Sequence, residues 1–130
     1  MKGKDLVVLG ILAAIFAVTV SSTSRAARSS TTVSLTAVVN VDGSLARGRG
    51  AVSSSQLGVD GQYEVVFNRD VSNCAYVASG GEATTFPPDD AVVFTVAPRD
   101  GNANAVFVQE WDGVLGFDSY SSGFHLVVVC

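Results

Sequence analysis

The sequence predicts an all-β protein, an antiparallel sandwich or jelly-roll-like domain of about seven to eight short strands. Three observations indicate this fold class. Valine is abundant while leucine is scarce, glycine and aspartate recur at short intervals, and no stretch of eleven residues keeps the 3.6-residue period of an amphipathic helix. Short strands separated by regular turn signals in about 100 residues are typical of sandwiches and jelly rolls.

The N-terminal segment has a different composition and predicts an export signal that forms an apolar helix. Lysines at positions 2 and 4 precede an uncharged apolar run of 15 residues, Leu6 to Val20, and small polar residues follow it. This order is that of a secretory signal peptide. Ser24 and Ala26 satisfy the small-residue rule for cleavage after Ala26. A retained membrane anchor is the open alternative, although a spanning helix needs about 20 apolar residues.

These features divide the chain into three parts. Residues 1–26 are the predicted signal peptide or membrane anchor, residues 27–31 a flexible lead, and residues 32–130 the β-sandwich domain. Without residues 1–26 the chain holds five arginines and eleven acidic residues, so its net charge is −6. Such an acidic, lysine-free surface repels phosphate backbones, and the sequence therefore predicts no nucleic-acid binding.

Turn signals delimit the first predicted strands. Asp42-Gly43 and Asp60-Gly61 are turns in which glycine supplies a positive φ. Gly48 and Gly50 interrupt one predicted strand and indicate a bulge, an edge position or weak pairing. The strands predicted in this half cover residues 32–40, 44–52, 62–68 and 72–79.

The second half contains three more predicted strands and two irregular segments. The loop at residues 80–90 includes Pro87-Pro88, which a central strand excludes. Residues 112–123 are rich in glycine and serine, with one possible short strand near Leu115–Phe117. The last strand is apolar on both faces except for His125, so we expect a central position in its sheet. The strands predicted in this half cover residues 91–98, 104–111 and 124–130.

The two cysteines, Cys74 and Cys130, are predicted to form a disulfide. By the two-residue period of a strand, Cys130 shares a face with Phe124, Leu126 and Val128. Cys74 shares its face with Tyr76 and Ala78. If both faces point to the core the two sulfurs can meet, and an exported chain reaches a compartment where a disulfide persists. A buried thiol pair and an intermolecular bridge are the alternatives.

The sequence offers few residues for catalysis or metal binding. His125 is the only histidine and lies within an apolar strand, so no Ser-His-Asp triad is predicted, and three Cys and His residues in all make a zinc site improbable. Asp100 to Asn104 resembles the start of a calcium loop but lacks its glycine and its final acid, which predicts a polar turn. Asp89-Asp90 is a second acidic loop. We therefore predict no catalytic residue, metal or cofactor.

A few side chains are candidates for contacts with a ligand or partner. Arg47 and Arg49 alternate on one strand, so they could form a small anion-binding patch or a solvated strand face. Trp111 and Tyr120 lie in or beside a loop-rich stretch and could stack on a sugar or a partner, although aromatic residues near loops more often cap the core. Their ligand is not identified by the sequence.

Two segments resemble those of a group of small, exported, β-rich bacterial proteins. The pattern is G-x-Y-x-V-x-F-N-R-D-V-x-x-C-x-Y, here Gly61 to Tyr76, and a terminal F-H-L-x-V-x-C, here Phe124 to Cys130. Similar segments occur in surface or fibre-like contexts. The resemblance supports the pairing of Cys74 with Cys130 and implies no catalytic residues.

The function predicted from the sequence is that of a secreted or surface-associated β-sandwich that binds a partner or has a structural role, and not that of an enzyme. A small hydrolase that uses a pair of carboxylates is one alternative, since the spatial distances among the acids are invisible in the sequence. An oligomeric, fibre-type knob is another, which makes a homo-oligomer possible. Membrane contact is expected only through an uncleaved N-terminal segment.

Overall fold

The structure is a computed structural model that describes residues 31–59, 61–86, 92–112 and 122–130. The predicted signal helix, most of the flexible lead, the possible strand near Leu115–Phe117, and Tyr120 lie outside the described residues. The described residues form eight β-strands and contain no helix. In chain order the strands are β1 (Ser34–Val39), β2 (Leu45–Arg49), β3 (Ala51–Gln56), β4 (Gln62–Phe67), β5 (Ala75–Gly80), β6 (Val92–Pro98), β7 (Ala105–Asp112) and β8 (Phe124–Val129).

The eight strands form two sheets of four. The first sheet has the order β2-β1-β8-β5 and the second has the order β3-β4-β7-β6. Every pairing between neighbouring strands is antiparallel. The predicted all-β antiparallel sandwich is thereby confirmed.

The core lies between the sheets and follows the two-residue period of each central strand. In β8 the side chains alternate between buried and exposed along the whole strand, and β4 alternates between buried and half-buried side chains. The rings of Tyr63 and Phe124 meet across the two sheets at a centroid distance of 5.1 Å, and Phe94 lies 5.3 Å from Phe124. The buried apolar residues that pack together in this core are Leu35, Ala37, Val39, Tyr63, Val65, Phe67, Val71, Val106, Val108, Phe124, Leu126 and Val128.

The last strand occupies a central position, as its apolar sequence predicts. β8 pairs with β1 on one side and with β5 on the other. Phe124, Leu126 and Val128 have no exposed surface and face the core. A strand with apolar side chains on both faces is stable here because neighbouring strands cover both of its edges.

One predicted strand is wrong. Residues 44–52 do not form a single strand, because the chain changes sheets at Gly50, which has a φ of 76°. β2 before it is an edge strand of the first sheet, and β3 after it is an edge strand of the second. A methyl group on Gly50 would lie 2.6 Å from the Leu35 side chain, so both the backbone angle and the close packing favour glycine at this corner. Of the three possibilities that Gly48 and Gly50 indicated, the structure shows the edge position, since the β1–β2 register shifts between Val38 and Val39, opposite Leu45 and Arg47, and not at either glycine.

Candidate functional site

The disulfide joins the residue that follows β8 to the residue that precedes β5. Cys74 immediately precedes β5 and Cys130 follows β8, and their sulfur atoms are bonded at 2.10 Å with the Cα atoms 4.5 Å apart. The backbone of Cys130 also exchanges two hydrogen bonds with Val33, of 3.0 and 3.3 Å. The predicted pairing of Cys74 with Cys130 is confirmed, and it fixes the end of β8 between its two neighbours.

The outer face of the first sheet carries an exposed aliphatic patch. Val77 on β5 is opposite Val127 on β8, and Ala75 is opposite Val129. Val77 is 66% exposed, Val127 38% and Val129 40%. We call these four residues the valine face. An antiparallel sheet that faces water normally has polar side chains on its outer surface, so the valine face is a candidate contact surface.

A loop covers the other end of the same outer face. Nη1 of Arg47, on edge strand β2, donates a 3.0 Å hydrogen bond to the carbonyl of Ala83, which follows β5 at the opposite edge. His125 lies beneath this loop, with a methyl group on Gly81 expected 3.2 Å from its Nε2 atom. The His125 Nε2 atom is 3.3 Å from the carbonyl oxygen of Glu82. Of the two candidate arginines, Arg47 therefore binds the backbone of this loop.

Arg49 lies farther along β2, beside the middle of the sheet. Its backbone amide donates to the Thr36 hydroxyl at 3.2 Å, and its side chain is exposed. Thr36 is opposite Val127, so Arg49 borders the valine face on the β2 side. The structure places Arg47 and Arg49 along one strand, the first at the loop and the second near the valine face.

Trp111 lies on the outer face of the second sheet. Its indole nitrogen donates a 3.1 Å hydrogen bond to the Thr95 hydroxyl on the neighbouring strand β6, and the residue is 38% exposed. The hydrogen bond holds the ring across the strands, and Val93, opposite Trp111 in the register, is 54% exposed. The arrangement provides a fixed, partly exposed aromatic surface. Tyr120, its predicted companion, lies outside the described residues.

Glu110 is a carboxylic acid with no exposed surface, at one end of the core. Its Oε2 atom accepts hydrogen bonds from the Ser122 amide at 2.9 Å and from the Tyr63 hydroxyl at 3.3 Å. Its Oε1 atom has no hydrogen-bond partner within the part of the chain that the structure describes. Burial raises the pKa of Glu110, and the hydrogen bonds from Ser122 and Tyr63 oppose that shift.

The carboxylate of Glu82 binds the residue that follows Ser122. Oε1 of Glu82 accepts a 3.4 Å hydrogen bond from the amide of Gly123, next to the amide of Ser122 that binds Glu110. Glu82 and Glu110 thus accept hydrogen bonds from two consecutive backbone amides. Because Glu110 has no exposed surface, its carboxyl group cannot touch a substrate in this conformation.

The turn that resembles a calcium loop connects β6 and β7. Its polar atoms bind one another: the Asn104 amide donates to Asn102 Oδ1 at 3.2 Å, and Ala105 donates to the Asn102 carbonyl at 3.0 Å. Arg99 at its start forms an ion pair with Glu64 at 2.9 Å. Residues 98–103 and Ser72 line a shallow depression open to solvent. The Asn102 side chain thus binds the backbone of its own turn.

Two further features concern metals and membranes. Among the described residues, no three His, Cys, Asp or Glu side chains are grouped so that they could hold a metal ion. Within the same ranges there is no helix long and apolar enough to cross a membrane.

Sequence reasoning missed both the valine face and the buried acid. Alternation along β7 places Glu110 on the same face as Val106 and Val108, so the pattern contained the signal for its burial. Alternation along β8 likewise separates Val127 and Val129 from the buried residues. Comparisons with protein-family models, with curated proteins and with solved structures find no match to this chain.

Proposed function

We propose that this chain is an exported β-sandwich that binds a partner through the outer faces of its sheets. The observation that carries the proposal is the disulfide between Cys74 and Cys130. Disulfides persist in oxidising compartments outside the cytoplasm. The apolar run from Leu6 to Val20, preceded by lysines, supplies an export signal that agrees with such a compartment.

The rigid frame supports a binding role. The disulfide and the central position of β8 fix the first sheet, while Trp111 is held on the second sheet by its bond to Thr95. An ordered aromatic ring presents a large contact area at small entropic cost. Trp111 is therefore the residue of the second sheet that we expect to touch a sugar or an apolar partner group.

Export is tested by producing the full chain in a bacterial host and separating cytoplasm, periplasm and medium. We expect the protein outside the cytoplasm, with its first residue at Ala27 and a mass lower by the two hydrogens that a disulfide removes. A protein retained in the cytoplasm with an intact N-terminus and two alkylatable thiols would contradict the proposal. Replacement of Leu12 and Ile15 by Asp is the matched control that should abolish export.

Binding near Trp111 can be followed by tryptophan fluorescence, because Trp111 is the only tryptophan of the chain. Its fluorescence is recorded while the exported protein is titrated with a panel of soluble oligosaccharides. A saturable change that is matched by calorimetry, and that the Trp111→Ala variant loses in calorimetry, supports sugar stacking. Trp111→Phe is the control that keeps a flat ring. Equal heats for the wild type and Trp111→Ala would remove this residue from the proposed contact.

A further inference from the structure

We propose that Asp100-Gly101, in the turn between β6 and β7, is a site of spontaneous backbone modification at which aspartate becomes isoaspartate. The chain contains four Asp-Gly pairs, which begin at positions 42, 60, 100 and 112. The structure describes two of them in full, Asp42-Gly43 and Asp100-Gly101. The inference is independent of export and of partner binding, because it follows from the chemistry of an Asp-Gly pair and from the surroundings of these two turns.

The first step is the reaction, which requires no enzyme and no co-reactant other than water. The amide nitrogen of the glycine bonds to Cγ of the preceding aspartic acid, and the carboxyl hydroxyl leaves with the amide proton as water. Water then adds to either carbonyl of the resulting five-membered succinimide and breaks one of its two ring C–N bonds. One opening restores aspartate, and the other gives isoaspartate, whose main chain runs through the former side chain. Glycine favours the reaction because no side chain obstructs the approach of its nitrogen.

The second step is the state of the glycine amide, which differs between the two turns. The amide of Gly43, a buried residue, donates a 2.9 Å hydrogen bond to the Asn40 carbonyl. A methyl group on Gly43 would lie 2.8 Å from the amide nitrogen of Gln56, so this backbone has little room to rotate. Gly101 is exposed, its added methyl group would meet no atom within 4 Å, and its amide donates to no residue in the described ranges. The attacking nitrogen is therefore bound at Gly43 and free at Gly101.

The third step is the carboxyl group that the nitrogen attacks. Oδ1 of Asp42 accepts hydrogen bonds from the Ser44 hydroxyl at 2.6 Å and from the Ser44 amide at 2.9 Å. These bonds hold the side chain on Ser44 and lower the pKa of Asp42, so that less of it is the neutral acid that loses water. The exposed side chain of Asp100 accepts no hydrogen bond from the part of the chain that the structure describes. It is therefore free to rotate onto the Gly101 amide.

The modified turn should disturb its connections to the sandwich. Isoaspartate lengthens the main chain of the turn by one methylene group. The carbonyl of Ala103 accepts a 2.9 Å hydrogen bond from the Val71 amide, and that of Asn104 accepts a 2.8 Å bond from the Phe67 amide. These two bonds tie the turn to the end of β4 and to the segment that follows it. We therefore expect faster hydrogen exchange at positions 67 and 71 in the modified protein.

The test is storage of the full chain at neutral pH, followed by digestion and electron-transfer dissociation, whose fragments distinguish isoaspartate from aspartate. Isoaspartate should form at least about tenfold faster at Asp100 than at Asp42, because reaction at Asp42 first requires the loss of hydrogen bonds that are each worth up to about tenfold in population. Asp100→Glu is the matched control. It keeps the charge but would have to close a six-membered ring, so position 100 should yield no isomer.

Two further measurements test the physical cause. Ser44→Ala removes the hydroxyl that binds Asp42, and should speed the reaction at Asp42 without changing the rate at Asp100. Unfolding of the wild type in guanidinium chloride should make the two rates similar, since both turns are then solvated alike. Equal rates at the two positions of the folded protein overturn the proposal, and so does a faster reaction at Asp42. A ratio that is the same in the folded and the unfolded chain also overturns it, because the difference would then come from the neighbouring sequence.

Discussion

The backbone amide of Ser122 donates a 2.9 Å hydrogen bond to Oε2 of Glu110, a side chain with no exposed surface. This bond joins the end of β7 to the residue two positions before β8, so a buried acid holds the entry to the last strand. Burial favours the protonated form of Glu110 and raises its pKa above the ordinary value of 4.5. The consequence is a stability that depends on pH.

Replacement of Glu110 by Gln should stabilise the protein at neutral pH. Between the unfolded pKa of 4.5 and the higher folded pKa, the native state binds more protons than the unfolded chain, so stability falls as pH rises through that window. Below 4.5 both states are protonated and this loss is absent. Glutamine cannot ionise, and its carbonyl can still accept from Ser122 and Tyr63. Urea denaturation from pH 4 to pH 8 should show the variant gaining stability over the wild type as pH rises.

The control for this experiment is Glu64→Gln. Glu64 pairs with Arg99 on the partly exposed outer face of the second sheet, where an ion pair contributes about 0–1 kcal/mol. Its removal should cost that amount or less. A stability difference between Glu110→Gln and the wild type that does not change with pH would show that Glu110 does not carry the effect.

Removal of the disulfide should destabilise the protein by about 4 kcal/mol on the chain-entropy model. Cys74 and Cys130 are 56 positions apart, so the bond closes a long loop in the unfolded chain. The variant Cys74→Ala/Cys130→Ala should unfold at a lower urea concentration, and hydrogen exchange should become faster at the end of β8.

A reducing agent supplies the control. It should lower the stability of the wild type towards that of the double variant and leave the double variant unchanged. A double variant as stable as the oxidised wild type would mean that the backbone hydrogen bonds between residues 33 and 130 hold the end of β8 without the covalent bond.

Much of this fold could be predicted from local patterns. The alternation in residues 62–68 predicts β4 within one residue, and the alternation in residues 124–130 predicts both the buried face of β8 and its central position. The same pattern places Cys130 on the core-facing side, and that placement is why the disulfide was predictable. In each case the buried face of a strand requires an apolar side chain at every second residue, and the sequence shows that pattern.

Other features depend on contacts that a local pattern does not contain. The strand break at Gly50 was missed because residues 44–56 have little apolar alternation, and Ala51–Gln56 contains three consecutive serines. Which strands are neighbours is also non-local, so the approach of Glu82 and Glu110 to adjacent amides could not be predicted. Among the site candidates, the link from Arg47 to Ala83 depends on a loop that crosses the sheet.

Two neighbouring residues of β8 provide a test of which face forms the core. Leu126 has no exposed surface, and its replacement by Ala should cost about 3 kcal/mol through lost burial and an unfilled cavity. Val127 is 38% exposed, and Val127→Ala should cost less than about 1 kcal/mol. Chemical denaturation of the two variants measures both losses. Similar losses for the two variants would contradict the assigned register.

Gly48 and Gly101 should both resist replacement by Ala, for different physical reasons. A methyl group on Gly48 would lie 2.4 Å from the Thr36 carbonyl oxygen and 2.9 Å from the Ala51 side chain, so β1 and β2 would have to separate. We expect a loss of about 2–3 kcal/mol, with faster hydrogen exchange at the β1–β2 pairing.

Gly101 has a φ of 75° and no neighbouring atom within 4 Å of the added methyl group. Its replacement should cost only about 1 kcal/mol, from backbone strain in the turn, and should leave the β1–β2 exchange rates unchanged. Denaturation together with residue-resolved hydrogen exchange separates the two causes. Unchanged hydrogen exchange at positions 37 and 48 of the Gly48→Ala variant would show that edge strand β2 accommodates the methyl group and stays paired with β1.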